Sequence, residues 1–277
     1  MRTLRFFLGS HHPAWLATSP VPLFVSDRRL RRYRRLPRAA QPWAADSGGF
    51  TELSMNGTWD HGPTPAEYID RVRRYHHEVG MLAWVAPQDW MCEPFILART
   101  GLTVARHQQL TVDNYLRLRD LAVDADLPPD LVTPVVQGWQ ADDYLQCVDL
   151  YARAGVDLNG VPLVGVGSVC RRQSTDDAGR ILTNLHSVGV TRLHGFGFKV
   201  QGLQRFGALL ASADSLAWSY AARRQPPLTG CTGHINCANC PRFAYRWHHR
   251  HIVPLLAART AAWIQPSLFT TTEGVAA

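Results

Sequence analysis

The sequence predicts an α/β fold, a parallel (β/α)8 TIM barrel followed by a small cysteine-rich knuckle near the C-terminus. Three observations carry this reading. Eight short apolar runs read as strands, and from the fourth onward each is separated from the next by a helix-like stretch. Some of these runs, such as Met81–Pro87, are apolar throughout, as in a parallel strand covered on both faces. Acids, amides and glycines gather just after the runs, where barrel enzymes present their chemistry. The 277 residues suit one such barrel, which takes roughly 250.

The first two runs are Arg5–Gly9 and Val21–Ser26, and the third ends at Asp46 in Trp43-Ala44-Ala45-Asp46-Ser47-Gly48-Gly49-Phe50. Residues 27–38 hold seven arginines, with Leu30, Tyr33 and Leu36 at weak helical spacing. That segment reads either as a solvated amphipathic helix or as a phosphate-contacting surface. A helix over 65–79 follows, with Thr64 as N-cap, Pro65 in its first turn and Gly80 as its stop. Met81–Pro87 then runs into Gln88-Asp89. Thr111–Ala125 reads as a helix, Leu131–Val136 as a strand ending on Gln137-Gly138, and Ala141–Ala154 as a helix. Pro162–Val169 is a glycine-punctuated strand containing Gly167 and Ser168, followed by a helix over Thr175–Val188. Arg192–Phe198 passes through His194-Gly195-Phe196-Gly197, Leu203–Leu210 is helical, and Ala213–Tyr220 supplies the last strand-like run.

Composition excludes several classes. Hydrophobic content of 46% against 18% charged residues describes a globular chain with a sizeable core rather than a disordered one. No stretch approaches the about 18 apolar residues of a membrane span. The N-terminal Met1-Arg2-Thr3-Leu4-Arg5-Phe6-Phe7-Leu8 meets Ser10-His11-His12-Pro13 without a secretory cleavage pattern, so a cytoplasmic protein is expected. The net charge of +7 rests almost wholly on arginine, whose planar fork suits phosphate.

Gly230–Pro241 contains Cys231, His234, Cys237 and Cys240 as C-x2-H-x2-C-x2-C. Three thiolates and an imidazole at this spacing can close a tetrahedron around structural zinc, Zn2+. His248, His249 and His251 on the next helix are alternative fourth ligands. Cys92, Cys147 and Cys170 are isolated and read as core residues.

Asp46 admits two readings, a helix-capping acid or a catalytic carboxylate presented at a strand end beside glycines that let a ligand approach. Asp46-Ser47-Gly48-Gly49-Phe50, Pro87-Gln88-Asp89, Val136-Gln137-Gly138, Val164-Gly165-Val166-Gly167, His194-Gly195-Phe196-Gly197 and Ala213-Asp214-Ser215 occur in an order that resembles the tRNA-guanine transglycosylases. The late cysteine knuckle is similar to that family's zinc-binding insertion, and the resemblance covers roughly residues 42–250.

The resemblance implies that Asp214 is the nucleophile attacking the ribosyl C1′ and displacing guanine, and that Asp46 is the general acid/base. It also implies that Asp89, Gln137 and the Gly167-Ser168 backbone read the purine edge, with Ser47, Gly48, Gly138 and Gly197 in the same substrate site. Arg223 and Arg224, just beyond Asp214, read either as backbone-binding groups or as ordinary solvated charge. The chain is shorter than the tRNA enzymes. Its knuckle is C-x5-C-x2-C with an internal histidine rather than their C-x-C-x2-C with a distant one, and Ser215-Leu216-Ala217-Trp218 departs from their run after the nucleophile. These departures point to the relatives that insert 7-deazaguanine bases into DNA, with base exchange on tRNA as the alternative.

The expected partners are therefore nucleic acid, DNA before tRNA, and a 7-deazaguanine base; whether a protein partner opens the duplex stays open at this level, and no membrane is involved. A barrel that binds nucleic acid without catalysis is a rival class, but both carboxylates needed for catalysis are present. A metal-dependent hydrolase is disfavoured because the strand ends hold no H-x-H pair and the cysteines read as structural. The expected organisation is a catalytic barrel over 1–225, the knuckle and a closing helix over 226–264, and a flexible tail over 265–277.

Overall fold

The computed structural model describes residues 4–264. The flexible tail expected over 265–277 lies outside the described residues. Eight strands occur in chain order with helices between most of them. They are β1 (Arg5–Ser10), β2 (Leu23–Ser26), β3 (Trp43–Asp46), β4 (Leu82–Val85), β5 (Val135–Val136), β6 (Val164–Val166), β7 (Leu193–Gly195) and β8 (Ser212–Ser215). The helices are α1 (Asp27–Leu30), α2 (Gly49–Asn56), α3 (Pro65–Arg74), α4 (Pro94–Thr100), α5 (Val104–Asp124), α6 (Ala141–Arg153), α7 (Asp176–Ser187), α8 (Val200–Phe206), α9 (Ala217–Ala222), α10 (Pro241–His251) and α11 (Val253–Ile264).

All strand pairs are parallel, in the order β4-β3-β2-β1-β8-β7-β6-β5. The sheet curls so far that its two ends meet. Val85 of β4 forms a parallel bridge with Val132, its N–H donating to the Leu131 carbonyl at 2.8 Å and its carbonyl accepting from Thr133 at 3.0 Å. The result is an α/β fold consistent with the TIM-like barrel expected from the sequence.

Strand alternation sorts the side chains into two cores. In β1, Phe6 and Leu8 point outward into the large cluster shared with the helices, whereas Phe7 points into the curl of the sheet. There it meets Ala44, Trp84 and Ala86, with Phe24, Leu163 and Phe196 packed against them. Helix α3 starts as its sequence predicts. Thr64 and Glu67 form a reciprocal capping box, and Tyr68, Val72 and Tyr75 are buried. A π-helical turn over Tyr75–Val79 continues it to Gly80, at φ 69°.

Four local expectations are corrected. Residues 27–38 are helical only over α1. Side-by-side arginines repel along a helix, and the Arg74 guanidinium takes up the carbonyls of Tyr33 and Arg34 at 2.9 and 2.7 Å. The run Ala213–Tyr220 is a strand only to Ser215. Ser215 Oγ then accepts the Ala217 N–H at 3.1 Å and the alanine-rich Ala217–Ala222 turns helical. The helix read as starting at Thr111 begins at Val104, where Thr103 accepts the Arg106 N–H. Strand β5 is shortened to two residues because Pro134, which has no N–H, interrupts the ladder.

Candidate active site

A cavity of about 640 Å³ opens at the carboxyl ends of the strands. Parallel strands leave each chain at the same end of the sheet, so residues distant in sequence meet there. Asp46, Asp89, Gly167, Ser168, Gly197 and Asp214 all line it. The structure thus brings together the residues proposed for catalysis and much of the set proposed for base reading.

Asp214 lies on β8, opposite Phe7 of β1. Its Oδ1 accepts the Gly197 N–H at 2.9 Å and lies 3.3 Å from His194 Nε2. His194 Nδ1 is 2.8 Å from Ser212 Oγ. A ring that turns its Nε2–H toward the carboxylate leaves Nδ1 to accept from the Ser212 hydroxyl, which fixes the ring and hence the carboxylate. Trp84 and Phe196 hold His194 edge-on, with ring centroids 4.5 and 4.7 Å away. Gly197 sits at φ 65°, and a Cβ there would lie 2.3 Å from Cys170 Sγ. Only glycine lets this backbone N–H reach Asp214.

Asp46 ends β3, in register with Ser26 of β2. Burial raises its carboxyl pKa, the Asp214 charge raises it further, and hydrogen bonds from the Gly48 N–H and the Ser26 side chain oppose the rise. The N-cap of α2 is Gly48, with no side-chain cap, so the capping reading of Asp46 is set aside. Beside it, Ser47 Oγ is buried and has no hydrogen-bond partner among the described residues. Gly48, at φ 88°, packs on Arg28, whose guanidinium is ion-paired to the buried Glu52. Arg28, Arg29 and Arg32 line the cavity; Arg29 and Arg32 are exposed.

Asp89 follows β4, and its carboxyl is pushed up to about 7, first by burial and then by Asp46, against the hydrogen bond from Gln137. Gln137 Nε2 donates to Asp89 Oδ2 at 2.5 Å, and Gln137 Oε1 accepts from Ser168 Oγ at 2.7 Å. Gly167 makes this possible, because a Cβ there would lie 2.2 Å from Gln137 Nε2. The Gly167 carbonyl accepts from Tyr144 Oη at 2.8 Å and its N–H donates to Val136 at 3.0 Å, so the Gly167 backbone braces the wall. Gly138 faces α6 instead of the cavity, pressed against Asp143 and Tyr144. Arg223 and Arg224 are not among the cavity's lining residues; Arg224 stacks on Tyr220, 3.5 Å from its ring centroid.

An acid that is harder to ionise when folded holds its proton more tightly in the folded state. Its contribution to stability is therefore greatest below the ordinary carboxylate pKa near 3.8 and falls as pH rises to about 7. Asp89→Asn is expected to raise the melting temperature at pH 8, by roughly 1–2 kcal/mol of stability in a cavity open to water, and to have little effect at pH 4. Thermal melts across pH 4–8 check this; equal destabilisation at both ends would refute it.

At the C-terminal side, the ligand atoms of Cys231, His234, Cys237 and Cys240 all lie within 4.8 Å of one another. Cys231 and Cys240 sulfurs are 3.9 Å apart and His234 Nε2 is 3.1 Å from Cys237 Sγ, separations that neighbouring ligands of one tetrahedral ion show. The Leu228 N–H and Arg242 Nη1 point at the Cys237 and Cys231 sulfurs, at 3.4 and 3.5 Å. Such donors suit thiolates, and the donor set fits zinc, which this cluster could hold. Of the four candidate histidines, His234 joins the cysteines. His248 is buried against Phe6, 5.8 Å between ring centroids, and burial lowers its pKa to about 4.

Two features are not apparent from the sequence. His194 stands out there only as part of a glycine motif. Glu93, buried in the cavity wall, precedes Pro94 at the first turn of α4 and so reads as an ordinary helix start.

A curled parallel sheet with acids and amides gathered at its carboxyl ends is the arrangement of a barrel-type α/β enzyme. The chain belongs to the DpdA family, DeoxyPurine in DNA protein A, whose model matches residues 1–273. DpdA is the DNA 7-deazaguanine transglycosylase of the tRNA-guanine-transglycosylase-like superfamily. No curated protein matches the chain at a significant level. Family membership makes this chain a transglycosylase-type enzyme with DNA as its nucleic-acid partner, the branch favoured by the departures in its sequence. Among the described residues, no helix is long and apolar enough to cross a membrane.

Proposed function

We propose that this chain is a pentosyltransferase that replaces guanine in DNA by a 7-deazaguanine base of the preQ0 type, through a covalent aspartyl-sugar intermediate. The observation that carries the proposal is the convergence of Asp46, Asp89 and Asp214 on one cavity, with Asp214 oriented by the Gly197 N–H and His194.

In the first displacement, an Asp214 carboxylate oxygen attacks C1′ and the C1′–N9 bond breaks. The electron pair leaves with the purine, which takes a proton from Asp46. An oxocarbenium-like state lies between, and a fixed carboxylate stabilises and then traps it. In the second displacement, Asp46 removes the proton from the incoming base, whose nitrogen attacks C1′ and frees Asp214. Two inversions retain the configuration. A carboxyl raised by burial suits both halves of this task.

Asp89 accepts from the donor edge of the base, with Gln137 and Ser168 holding it. The cavity volume accommodates a base extruded from its stack, and Arg29 and Arg32 at its edge suit phosphate. Zinc in the knuckle would be held by Cys231, His234, Cys237 and Cys240 and would be structural, having no open position. This reading assigns the catalytic unit to residues 1–225 and the knuckle with its closing helix to 226–264.

Incubation of the purified chain with radiolabelled guanine tests the proposal. Label is expected in double-stranded DNA and not in tRNA. Label in tRNA alone would reverse the assignment of polymer, and label in neither, with no denaturation-resistant adduct on DNA, would overturn the activity.

A further inference from the structure

The wall behind Asp89 contains a hydrogen-bond count that does not close unless one more proton is present. Ser168 Oγ has three protein neighbours. It accepts the Cys92 N–H at 2.7 Å, and it lies 2.9 Å from Glu93 Oε2 and 2.7 Å from Gln137 Oε1. A serine hydroxyl carries one hydrogen, so it cannot donate to both oxygens. Gln137 turns its NH2 toward Asp89, which leaves only its carbonyl oxygen facing Ser168. That oxygen can only accept. The remaining hydrogen must come from Glu93.

We propose that Glu93 is a positioning residue for base recognition: it carries the proton that, through Ser168 and Gln137, keeps Asp89 an ionised acceptor. The inference rests on the reading of Asp89 as the base-reading acid. The chain Glu93–Ser168–Gln137–Asp89 then has every bond satisfied, with donors running from Glu93 to Asp89. One proton on the pair is the required number. With none, the Ser168 and Gln137 oxygens would face each other at 2.7 Å without a hydrogen between them. With two, Asp89 could no longer accept from a base that offers N–H groups.

The surroundings agree. Glu93 is buried, and burial raises its pKa, against the charges of Arg171 and Arg172. Burial and Asp46 on β3 raise Asp89 as well, and the hydrogen bond from Gln137 opposes that rise and favours the ionised form. The neighbouring thiols of Cys92 and Cys147 are pushed up by burial and stay neutral. On α5, His107 is engaged by the Met91 carbonyl and Thr100 Oγ1, which keeps it out of the chain. Ser168 itself adopts φ 54°, unusual for a residue with a side chain, and this conformation brings its hydroxyl to all three neighbours.

The test is guanine binding by calorimetry across pH 6–8.5, below the range in which the ring N–H of guanine itself ionises, with no DNA present, together with infrared spectra of the free protein. The wild-type chain is expected to lose guanine affinity on the alkaline side as the shared proton leaves. Glu93→Ala should weaken binding about tenfold at the optimum, the loss of one hydrogen bond to a charged wall. Glu93→Gln, whose amide always brings a hydrogen to Ser168, should recover most of that loss and bind with no alkaline fall. The difference spectrum of wild type minus Glu93→Gln at pH 7 should contain a protonated-carboxyl band.

An unchanged alkaline fall in Glu93→Gln, or the absence of that band, would overturn the inference. The infrared measurement needs neither base nor DNA, so it decides the proton's place even if Glu93→Ala fails to fold. Guanine binding without exchange into DNA would count against the proposed reaction and leave the Glu93 assignment standing.

Discussion

Replacing Asp214 by alanine is expected to lower guanine exchange into DNA by about 10^4-fold or more, since the proposed covalent route closes when its proposed nucleophile is removed. The structure makes this a sharp test. Asp214 contributes little to packing, because its carboxylate bonds the Gly197 N–H and His194 at the cavity and is not part of the apolar core. The variant should therefore fold, bind guanine and show an unshifted melting curve while losing exchange. Wild-type protein quenched in denaturant should retain DNA covalently; the Asp214→Ala chain should not. Asp46→Asn should be milder, roughly 10^2–10^4-fold, because it removes proton transfer and not the bond-forming group. A chain that still exchanges guanine after loss of Asp214 would require a different nucleophile and a different mechanism.

Removal of metal from the knuckle is expected to lower the melting temperature by more than about 10 °C, since structural zinc typically binds with roughly 10–16 kcal/mol and each kcal/mol is worth about 2–4 °C in a domain of this size. The loss would not be confined to a peripheral loop. Cys237 and Cys240 belong to the same core as Trp218, Phe243 and Trp247, and the Ala238 carbonyl accepts from Ser219 Oγ at 2.8 Å. Through α9, where Trp218 Nε1 donates to the Gly9 carbonyl at 2.8 Å, the knuckle is tied to β1 beside β8, which carries Asp214. Metal analysis of the purified chain should find one zinc per chain, and a strong chelator should reduce exchange along with stability. Purified chain that contains no metal, and whose melting curve a chelator leaves unchanged, would refute the site. Cys231→Ser should show a partial version of the same effect, because it removes one thiolate from the partly exposed side of the cluster.

Much of this protein is legible along its chain. Apolar runs alternating with helical stretches specify a parallel α/β sheet, because strands covered on both faces have to be apolar throughout. Thr64, Pro65 and Gly80 mark the ends of a helix through purely local chemistry, and the structure has that helix. Asp46, Asp89, Gln137 and Asp214 are legible as candidates because strand ends in such folds face a common space. The knuckle is legible because ligand spacing over ten residues is a short-range property.

The tertiary structure decided what depends on contacts between distant segments. The arginine run is not a long helix, since its carbonyls are taken by Arg74, which lies on α3. Gly197 and Gly167 are small because Cys170 and Gln137 fill the space a side chain would need, and neither neighbour is close in sequence. Gly138 belongs to helix packing although it stands beside a wall residue. His234 joins the cysteines whereas His248 packs on Phe6, a difference of side-chain direction that spacing does not encode. Glu93 gained a role only when Ser168, 75 positions later in the chain, proved to touch it. Local propensity and pattern act over a few residues and so can be read along the chain; hydrogen-bond satisfaction in a buried wall is a property of the closed cavity and exists only once the fold has formed.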